Sequence, residues 1–321
     1  MYQYKTEPYQ HQREVFDASW RRKFFALFME MGTGKSKVAL DTMAALYEAG
    51  EINTVLIAAP KGVFDNWIKA EIPTHLPDRI KTKIVRWQPN ITKKYKAEIE
   101  AIALPEKREP GFLHILVMNI EAFSTSKGAG AGQKFLKLNP ENMLILDEST
   151  TIKNKSASRT KNLVKAGEQA KYKRILTGSP ITKSPMDLFS QCLFLDPRAL
   201  GFRSFYSFQN RYAIVVRRAM GHRSFQEITG YRRLDELGEK LDTFSSRVLK
   251  EDCLDLPDKI YTQRQVPLST EQAKLYGQMQ ELALAQLAKG KLATTQSVLT
   301  QIMRLQQICC GHLQPDDGRI Q

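Results

Sequence analysis

What the sequence has little of narrows the field first. Only four of the 321 residues are cysteine, at 192, 253, 309 and 310, and none stands in a Cys-x-x-Cys pair. The adjacent Cys309 and Cys310 have only His312 nearby, so a zinc site would lack ligands and no disulfide framework organises the chain. Reduced, buried thiols in a cytoplasmic protein are the expectation. No apolar run approaches the ~20 residues needed to cross a bilayer. The start, Met1–Gln10, is polar and lacks the pattern of a signal peptide. Internal repeats and low-complexity stretches are also missing. Acid is in short supply: 34 Asp and Glu stand against 48 Lys and Arg, a net charge of +14.

That excess of base favours a polyanionic partner, and with membranes set aside nucleic acid remains. The bases are clustered. Arg79–Ala97 holds seven and no acid, Thr150–Ile175 holds eight with only Glu168, and Gly201–Lys250 holds ten against five acids. One such stretch reads as a solvated face. Three on one chain read as a track for phosphates.

With 42% hydrophobic residues the chain can bury a core. Over the first two-thirds, short apolar runs alternate with amphipathic stretches, the pattern of β-α-β units around a parallel sheet. The runs predict strands at Phe24–Met29, Thr54–Ala59, Lys83–Trp87, Leu113–Met118, Met143–Asp147 and Arg174–Thr177. Helices are predicted at Lys35–Glu48 and Gly62–Glu71, and the three glycines of Ser124–Gln133 predict a mobile loop. After Asp196 the texture changes. Phe202, Phe205, Tyr206, Phe208 and Tyr212 form an aromatic, helical stretch, and Ala213–Tyr231 reads as a hairpin turning near Met220-Gly221. A strand is predicted at Lys259–Val266, then helices at Thr270–Ala288 and Thr294–Cys310 with apolar residues at i, i+3, i+4.

Two motifs carry chemistry. Gly32-Thr33-Gly34-Lys35-Ser36 follows a predicted strand and opens a predicted helix, the context in which glycines let backbone N–H groups approach phosphate oxygens. Lys35 would reach the β- and γ-phosphates and Ser36 would hold Mg²⁺. Met29 stands where the long form of the pattern has its first glycine. The second motif is the strand Met143–Leu146 running into Asp147-Glu148, carboxylates at the strand end where open α/β sheets bind ligands. Asp147 would hold Mg²⁺ through water and Glu148 would polarise the attacking water.

With these residues in place the chain resembles the first RecA-like lobe of superfamily-two helicases, the Swi/Snf-like DNA translocases, in a phage-type variant. Five segments carry the resemblance in order. Pro8-Tyr9-Gln10-His11-Gln12 is similar to an adenine-recognising glutamine motif, with Gln12 best placed. Glu30-Met31 before the P-loop matches the family and accounts for Met29. Ala59-Pro60-Lys61 followed by Trp67 resembles a segment that touches DNA backbone, although Trp67 itself reads as core. Asp147-Glu148-Ser149-Thr150 stands where the family has Asp-Glu-x-His. Thr177-Gly178-Ser179-Pro180 resembles the threonine-glycine motif that couples ATP state to DNA grip. Leu188–Pro197 and Phe202–Tyr212 look like the family's helical protrusion. Lys250–Tyr276 and Gln306–Leu313 look like the crossover towards a second lobe.

The resemblance implies a three-layer α/β, parallel-sheet RecA-like P-loop domain over 1–196. A helical and hairpin insertion would occupy 197–255, and crossover elements 256–321. It further implies ATP and Mg²⁺ as cofactors, double-stranded DNA as partner, and a second lobe, outside these residues, carrying the arginine finger. Gln12, Gly32, Thr33, Gly34, Lys35 and Ser36 would bind nucleotide. Pro60, Lys61, Lys153, Lys155, Arg159, Thr177, Gly178 and Ser179 would contact or report on DNA. The hairpin arginines Arg217, Arg218, Arg223, Arg232 and Arg233 read equally well as DNA contacts or as solvated surface. Thr150 in place of histidine removes one polar contact to the opposite lobe. Three other readings remain open: a non-hydrolysing DNA clamp, an RNA helicase lobe, and a generic P-loop protein with basic surfaces.

Overall fold

The computed structural model describes residues 2–202, 204–220, 223–253, 260–288 and 295–311. The chain divides into two compact units, Met1–Leu256 and Pro257–Gln321. In chain order the first runs α1 (Gln10–Ser19), β1 (Phe24–Met29), α2 (Lys35–Glu48), β2 (Thr54–Ala59), α3 (Phe64–Asn66), a π-helical turn (Trp67–Glu71) and α4 (Ile72–His75). There follow β3 (Thr82–Arg86), α5 (Lys93–Ala103), β4 (Leu113–Asn119), α6 (Ser126–Leu138), β5 (Asn142–Asp147), α7 (Ser158–Gly167), β6 (Tyr172–Leu176) and α8 (Leu188–Leu195). The unit ends with α9 (Phe205–Tyr212), β7 (Ala213–Met220), β8 (Arg223–Tyr231), α10 (Leu234–Asp242), β9 (Ser245–Val248) and α11 (Lys250–Cys253).

Seven strands form one sheet in the order β3-β4-β2-β5-β6-β1-β9, parallel at every pairing. Because side chains alternate across a strand, each apolar run serves two cores. In β1, Ala26 and Phe28 pack with Leu144, Leu146, Phe135, Leu163 and Phe194, while Phe25, Leu27 and Met29 pack with Met143, Ile145, Val38 and Trp67. Strands β1, β2, β4 and β5 are thus buried on both faces, which is why they read as near-continuous apolar runs rather than alternating ones, while edge strand β3 is only part-buried. Helices α1 and α2 and the segment 64–75 cover one face, and α5 to α8 cover the other. This is the three-layer α/β arrangement of a RecA-like lobe.

The six strands predicted between Phe24 and Thr177 appear within two residues of their expected ends, and α2 matches its expected bounds. Four expectations need correction. Ser124–Gln133 is not a loop: α6 covers Ser126–Leu138. Thr125 caps it by accepting from Gly128 N–H at 3.1 Å, and two of its glycines let it pack closely. A Cβ at Gly128 would lie 2.3 Å from Ala122 O, and one at Gly132 would lie 2.8 Å from the Phe123 ring. The helix predicted over Gly62–Glu71 is interrupted by the π turn and ends at His75. The strand expected over Lys259–Val266 is absent from its described part: Ile260, Tyr261 and Val266 are exposed and pair with no strand among the described residues. Lys259 lies outside the described residues. Finally, Cys192 is buried, and burial pushes its thiol up to about 12, but Cys309 and Cys310 are exposed.

Strand β9 was not foreseen. Only Val248 of its four residues is apolar and buried, too little for a local signal, yet Ser245–Val248 pair in register with Ala26–Met29. Strands β7 and β8 form the expected antiparallel hairpin, with a bulge between Ile214 and Val215; residues 221–222 at its tip lie outside the described ones. In the second unit α12 (Thr270–Ala288) and α13 (Thr295–Cys309) pack on each other, and Gln272 Nε2 donates to Ile308 O at 3.1 Å.

Candidate functional site

A parallel sheet puts all strand C-termini on one edge. Glu30, Pro60, Thr177 and Lys250 therefore follow β1, β2, β6 and β9, and Asp147 ends β5, on the same edge of the sheet.

The turn after β1 is set by its glycines. Gly32 and Gly34 have φ of 87° and 91°, a region that residues with a Cβ rarely adopt. A Cβ on Gly34 would also sit 2.2 Å from Gln12 Nε2. Thr33 folds the turn back, its N–H and hydroxyl donating to Glu30 O at 3.2 and 2.7 Å. Helix α2 begins at Lys35 without a side-chain cap, leaving first-turn N–H groups for an anion. Gln12 is buried beneath this turn. Its Nε2 donates to Thr33 O at 3.0 Å and its Oε1 accepts from Tyr9 N–H at 3.1 Å. The two bonds fix the amide orientation and leave one N–H and one lone pair over. His11 Nε2 lies 2.9 Å from the same Thr33 oxygen. Tyr9 is exposed and stacks on His11, ring centroids 5.8 Å apart.

Lys35 is half-buried, its ammonium making a long 3.4 Å contact to Glu30 O. Burial holds its ammonium below the usual lysine range, while the carboxylates of Glu148 and Asp147 work against that shift. Asp147 is 9% exposed. Its Oδ2 accepts from Trp67 Nε1 at 2.9 Å and its Oδ1 from Glu148 N–H at 3.0 Å. Burial raises its carboxyl above the ordinary range, and the indole bond opposes that. Glu148 has φ 49°, one of two described non-glycine residues in the left-handed region, backbone strain of the kind that collects at functional sites.

The next two motifs are joined by side chains. Thr177 Oγ1 donates to Glu148 Oε2 at 3.3 Å and accepts from Ser179 N–H at 3.2 Å. Ser149 Oγ donates to Gln191 Oε1 at 2.6 Å, and Gln191 Nε2 donates to Pro180 O at 2.7 Å. The acidic box and the 177–180 loop are therefore clamped twice. Gly178 packs under Met31, where a Cβ would lie 3.2 Å from its backbone nitrogen.

Of the residues singled out in sequence, Gln12, Gly32, Thr33, Gly34, Lys35, Asp147, Glu148 and Thr177 converge, with Ser36 beside them. Pro60 and Lys61 lie on the same edge but outside this cluster, Lys61 exposed. Lys153 and Lys155 are engaged elsewhere: Lys153 Nζ donates to Thr182 Oγ1, and Lys155 Nζ lies 3.8 Å from the Phe205 ring centroid and 4.3 Å from that of Tyr206. Arg159 sits at the start of α7, partly exposed.

Three residues joined the site without having been assigned a place in it. Trp67, expected as core, is 1% exposed and also bonds Asp147. Glu71 is raised by burial and by Asp147, while Asn66 and the Ser36 hydroxyl work against that shift. Lys250 stands over Gly32, its Nζ 3.8 Å from where a Cβ would be; its backbone N–H donates to Glu30 Oε2 at 2.8 Å. The i, i+4 spacing of Trp67 and Glu71 is a signal that could have linked those two. Nothing local marks Lys250, which is brought in by β9.

Comparison with known proteins agrees with this geometry. The chain matches the SNF2-related domain over residues 23–313. An uncharacterised ATP-dependent helicase of Mycoplasma pneumoniae is 26% identical over 281 residues, covering 87% of this chain and 24% of that protein. A chromatin structure-remodeling complex subunit of Schizosaccharomyces pombe is 25% identical over 290 residues, covering 87% and 22%. The chain thus spans under a quarter of the length of these relatives. The fold matches the Sulfolobus solfataricus SWI2/SNF2 ATPase core in complex with double-stranded DNA, TM-score 0.55 at 21% identity, covering 96% of this chain and 59% of that one. The P-loop, the acidic box, the threonine-glycine loop and the seven-stranded parallel sheet thus belong together, and the chain is a member of the SNF2-related domain family.

Proposed function

We propose that this chain is the nucleotide-binding lobe of an ATP-dependent translocase on double-stranded DNA. The observation that carries the reading is the convergence of Lys35, Asp147, Glu148 and Thr177 on one sheet edge, over a turn only glycine can make. The residues fit a magnesium nucleotide. A half-buried ammonium without a close acceptor, facing two carboxylates, suits a polyanion bridged to those carboxylates by a divalent cation. Ser36 and Asp147 would hold the cation, which when bound neutralises charge on the phosphates. Lys35 and the N–H groups of Gly32, Gly34, Lys35 and Ser36 would hold the phosphates, Thr33 N–H being bonded to Glu30 O. Glu148 would take a proton from the attacking water. Thr177 shares the Glu148 carboxylate, so a shift of the 177–180 loop would turn the base, a direct route from DNA grip to hydrolysis.

Double-stranded DNA as partner is supported by the basic stretches at Arg79–Ala97, Thr150–Ile175 and Gly201–Lys250, and by the DNA bound to the Sulfolobus core. Pro60, Lys61, Lys153, Lys155, Arg159, Gly178 and Ser179 are the residues assigned to that track. A second RecA-like lobe would supply the opposite wall of the nucleotide cleft and the arginine finger. The protein would act in the cytoplasm, that of a bacterial host if its phage-type motifs reflect its origin.

The test is binding and hydrolysis of ATP by the 321-residue chain at low salt, with and without duplex DNA, beside Lys35→Ala. Lys35-dependent ATP binding with salt-sensitive duplex binding is expected, with turnover weak without an opposite lobe. ATP binding that survives Lys35→Ala unchanged would refute the assignment.

A further inference from the structure

The π turn Trp67–Glu71 touches both residues assigned to magnesium, and it does so from outside the nucleotide motifs. At its first residue, the Trp67 indole N–H donates to Asp147 Oδ2 at 2.9 Å. With Glu148 N–H on Oδ1 at 3.0 Å, each carboxylate oxygen has one fixed donor, so the carboxylate plane is set before any ligand arrives. At its last residue, the Glu71 carboxylate is close enough to the Ser36 hydroxyl to be influenced by it. Asn66 Nδ2 holds that carboxylate from the other side, donating to Oε1 at 3.0 Å. The turn itself is an uncommon choice. Ile72 N–H bonds Trp67 O, five residues back, a register that fewer than about one residue in a hundred adopts and that tends to occur at functional sites.

Core packing alone accounts for a tryptophan that is 1% exposed. It does not account for an indole N–H aimed at the one buried carboxylate of the site, nor for a partly exposed glutamate beside the P-loop serine. We propose that Trp67 and Glu71 are positioning residues that orient the two magnesium ligands, Trp67 through Asp147 and Glu71 through Ser36. Such partners hold lone pairs in the direction a cation needs, and their loss costs about 10–100-fold in metal affinity where it has been examined. The inference rests on the nucleotide-site reading above but concerns only its metal-dependent part.

The experiment measures the dissociation constant of a fluorescent ATP analogue (mant-ATP) with the full chain in magnesium and in EDTA, for wild type, Lys35→Ala, Trp67→Phe, Glu71→Ala and Glu71→Gln. Trp67→Phe keeps an aromatic ring and removes the donor. The ratio of the EDTA constant to the magnesium constant is expected to fall about tenfold in Trp67→Phe and in Glu71→Ala. Glu71→Gln, which keeps an acceptor for Ser36, should recover part of it. Thermal melts check folding, and if Trp67→Phe fails to fold, the two Glu71 variants carry the test. A ratio held within twofold of wild type in the folded variants would overturn the positioning role while leaving the nucleotide site standing. Wild type that does not bind the analogue, or binds it independently of Lys35, would overturn both.

Discussion

Two ammonium groups face the glycine turn, and only Lys35 belongs to its motif. Lys250 arrives from 215 residues further along the chain, stands over Gly32 and depresses Lys35 by its charge. Its backbone bond to Glu30 survives truncation of the side chain, so Lys250→Ala removes the charge alone. We expect nucleotide affinity to fall about tenfold, roughly 1.4 kcal/mol, read as a dissociation constant; an unchanged constant would make Lys250 a backbone clip only. A third lysine tests burial rather than function. Lys173 is 4% exposed, donates to Phe194 O at 2.9 Å, and is pushed by burial from its ordinary 10.5 down to about 8. Between about pH 8 and 10.5 the native protein has released a proton that the unfolded chain still holds, so this group makes stability rise with pH in that window. Lys173→Met should flatten the rise in denaturant midpoint across that range. A slope identical to wild type would show that the ammonium is not desolvated as described.

Among elements, α6 shows how packing overrides composition. Three glycines in seven residues read as a loop, because glycine weakens an isolated helix by about 1 kcal/mol each. Two of the three are where backbone and ring must approach, at Ala122 O and Phe123. The third, Gly130, has nothing within 4 Å of a built Cβ. Gly130→Ala should therefore stabilise the protein by about 0.5–1 kcal/mol, a few degrees in melting temperature. Gly128→Ala and Gly132→Ala should destabilise it by about 1–3 kcal/mol. If all three shift the melt in the same direction, helix propensity and not contact decides. Strands β1, β2, β4 and β5 were legible for the opposite reason: their apolar runs are buried on both faces, so each carries its own signal. β9 was illegible because one buried valine is no run, and its place comes from the open edge of β1.

Over the whole molecule the net charge of +14 is the property most open to a solution test. If the basic stretches form a DNA track, duplex affinity should fall linearly on a log–log plot against salt, by roughly 0.9 per phosphate neutralised. Lys153→Ala and Arg159→Ala should each lower that slope by about one. Lys155→Ala should do less, because its ammonium already rests on Phe205 and Tyr206 and would have to leave them to meet a phosphate. Salt-independent binding, or slopes untouched by these changes, would remove DNA from the assignment. The second unit makes a separate point. Its two helices follow from apolar spacing, and on α13 Ile308 is 2% exposed while Leu299, Ile302 and Met303 are more than half exposed, so among the described residues periodicity there marks the helix more clearly than it marks what is buried.

Where the signal is local, the sequence by itself was enough. The glycine turn, Lys35 and Ser36 after it, the acidic pair at the end of an apolar strand, and the order of β-α units are all properties of spacing along the chain. They identified the family's nucleotide motifs and the three-layer fold. Tertiary structure decided what depends on residues far apart in sequence. Trp67 meets Asp147 across 80 residues, and Lys250 meets Glu30 across 220. Gln191 meets Ser149 across 42, and α6 forms because Ala122 and Phe123 receive its glycines. Those contacts follow from which strand ends share an edge and how closely two backbones approach. No window of sequence contains either quantity, because both are set by the crossing of chain segments rather than by the composition of any one of them.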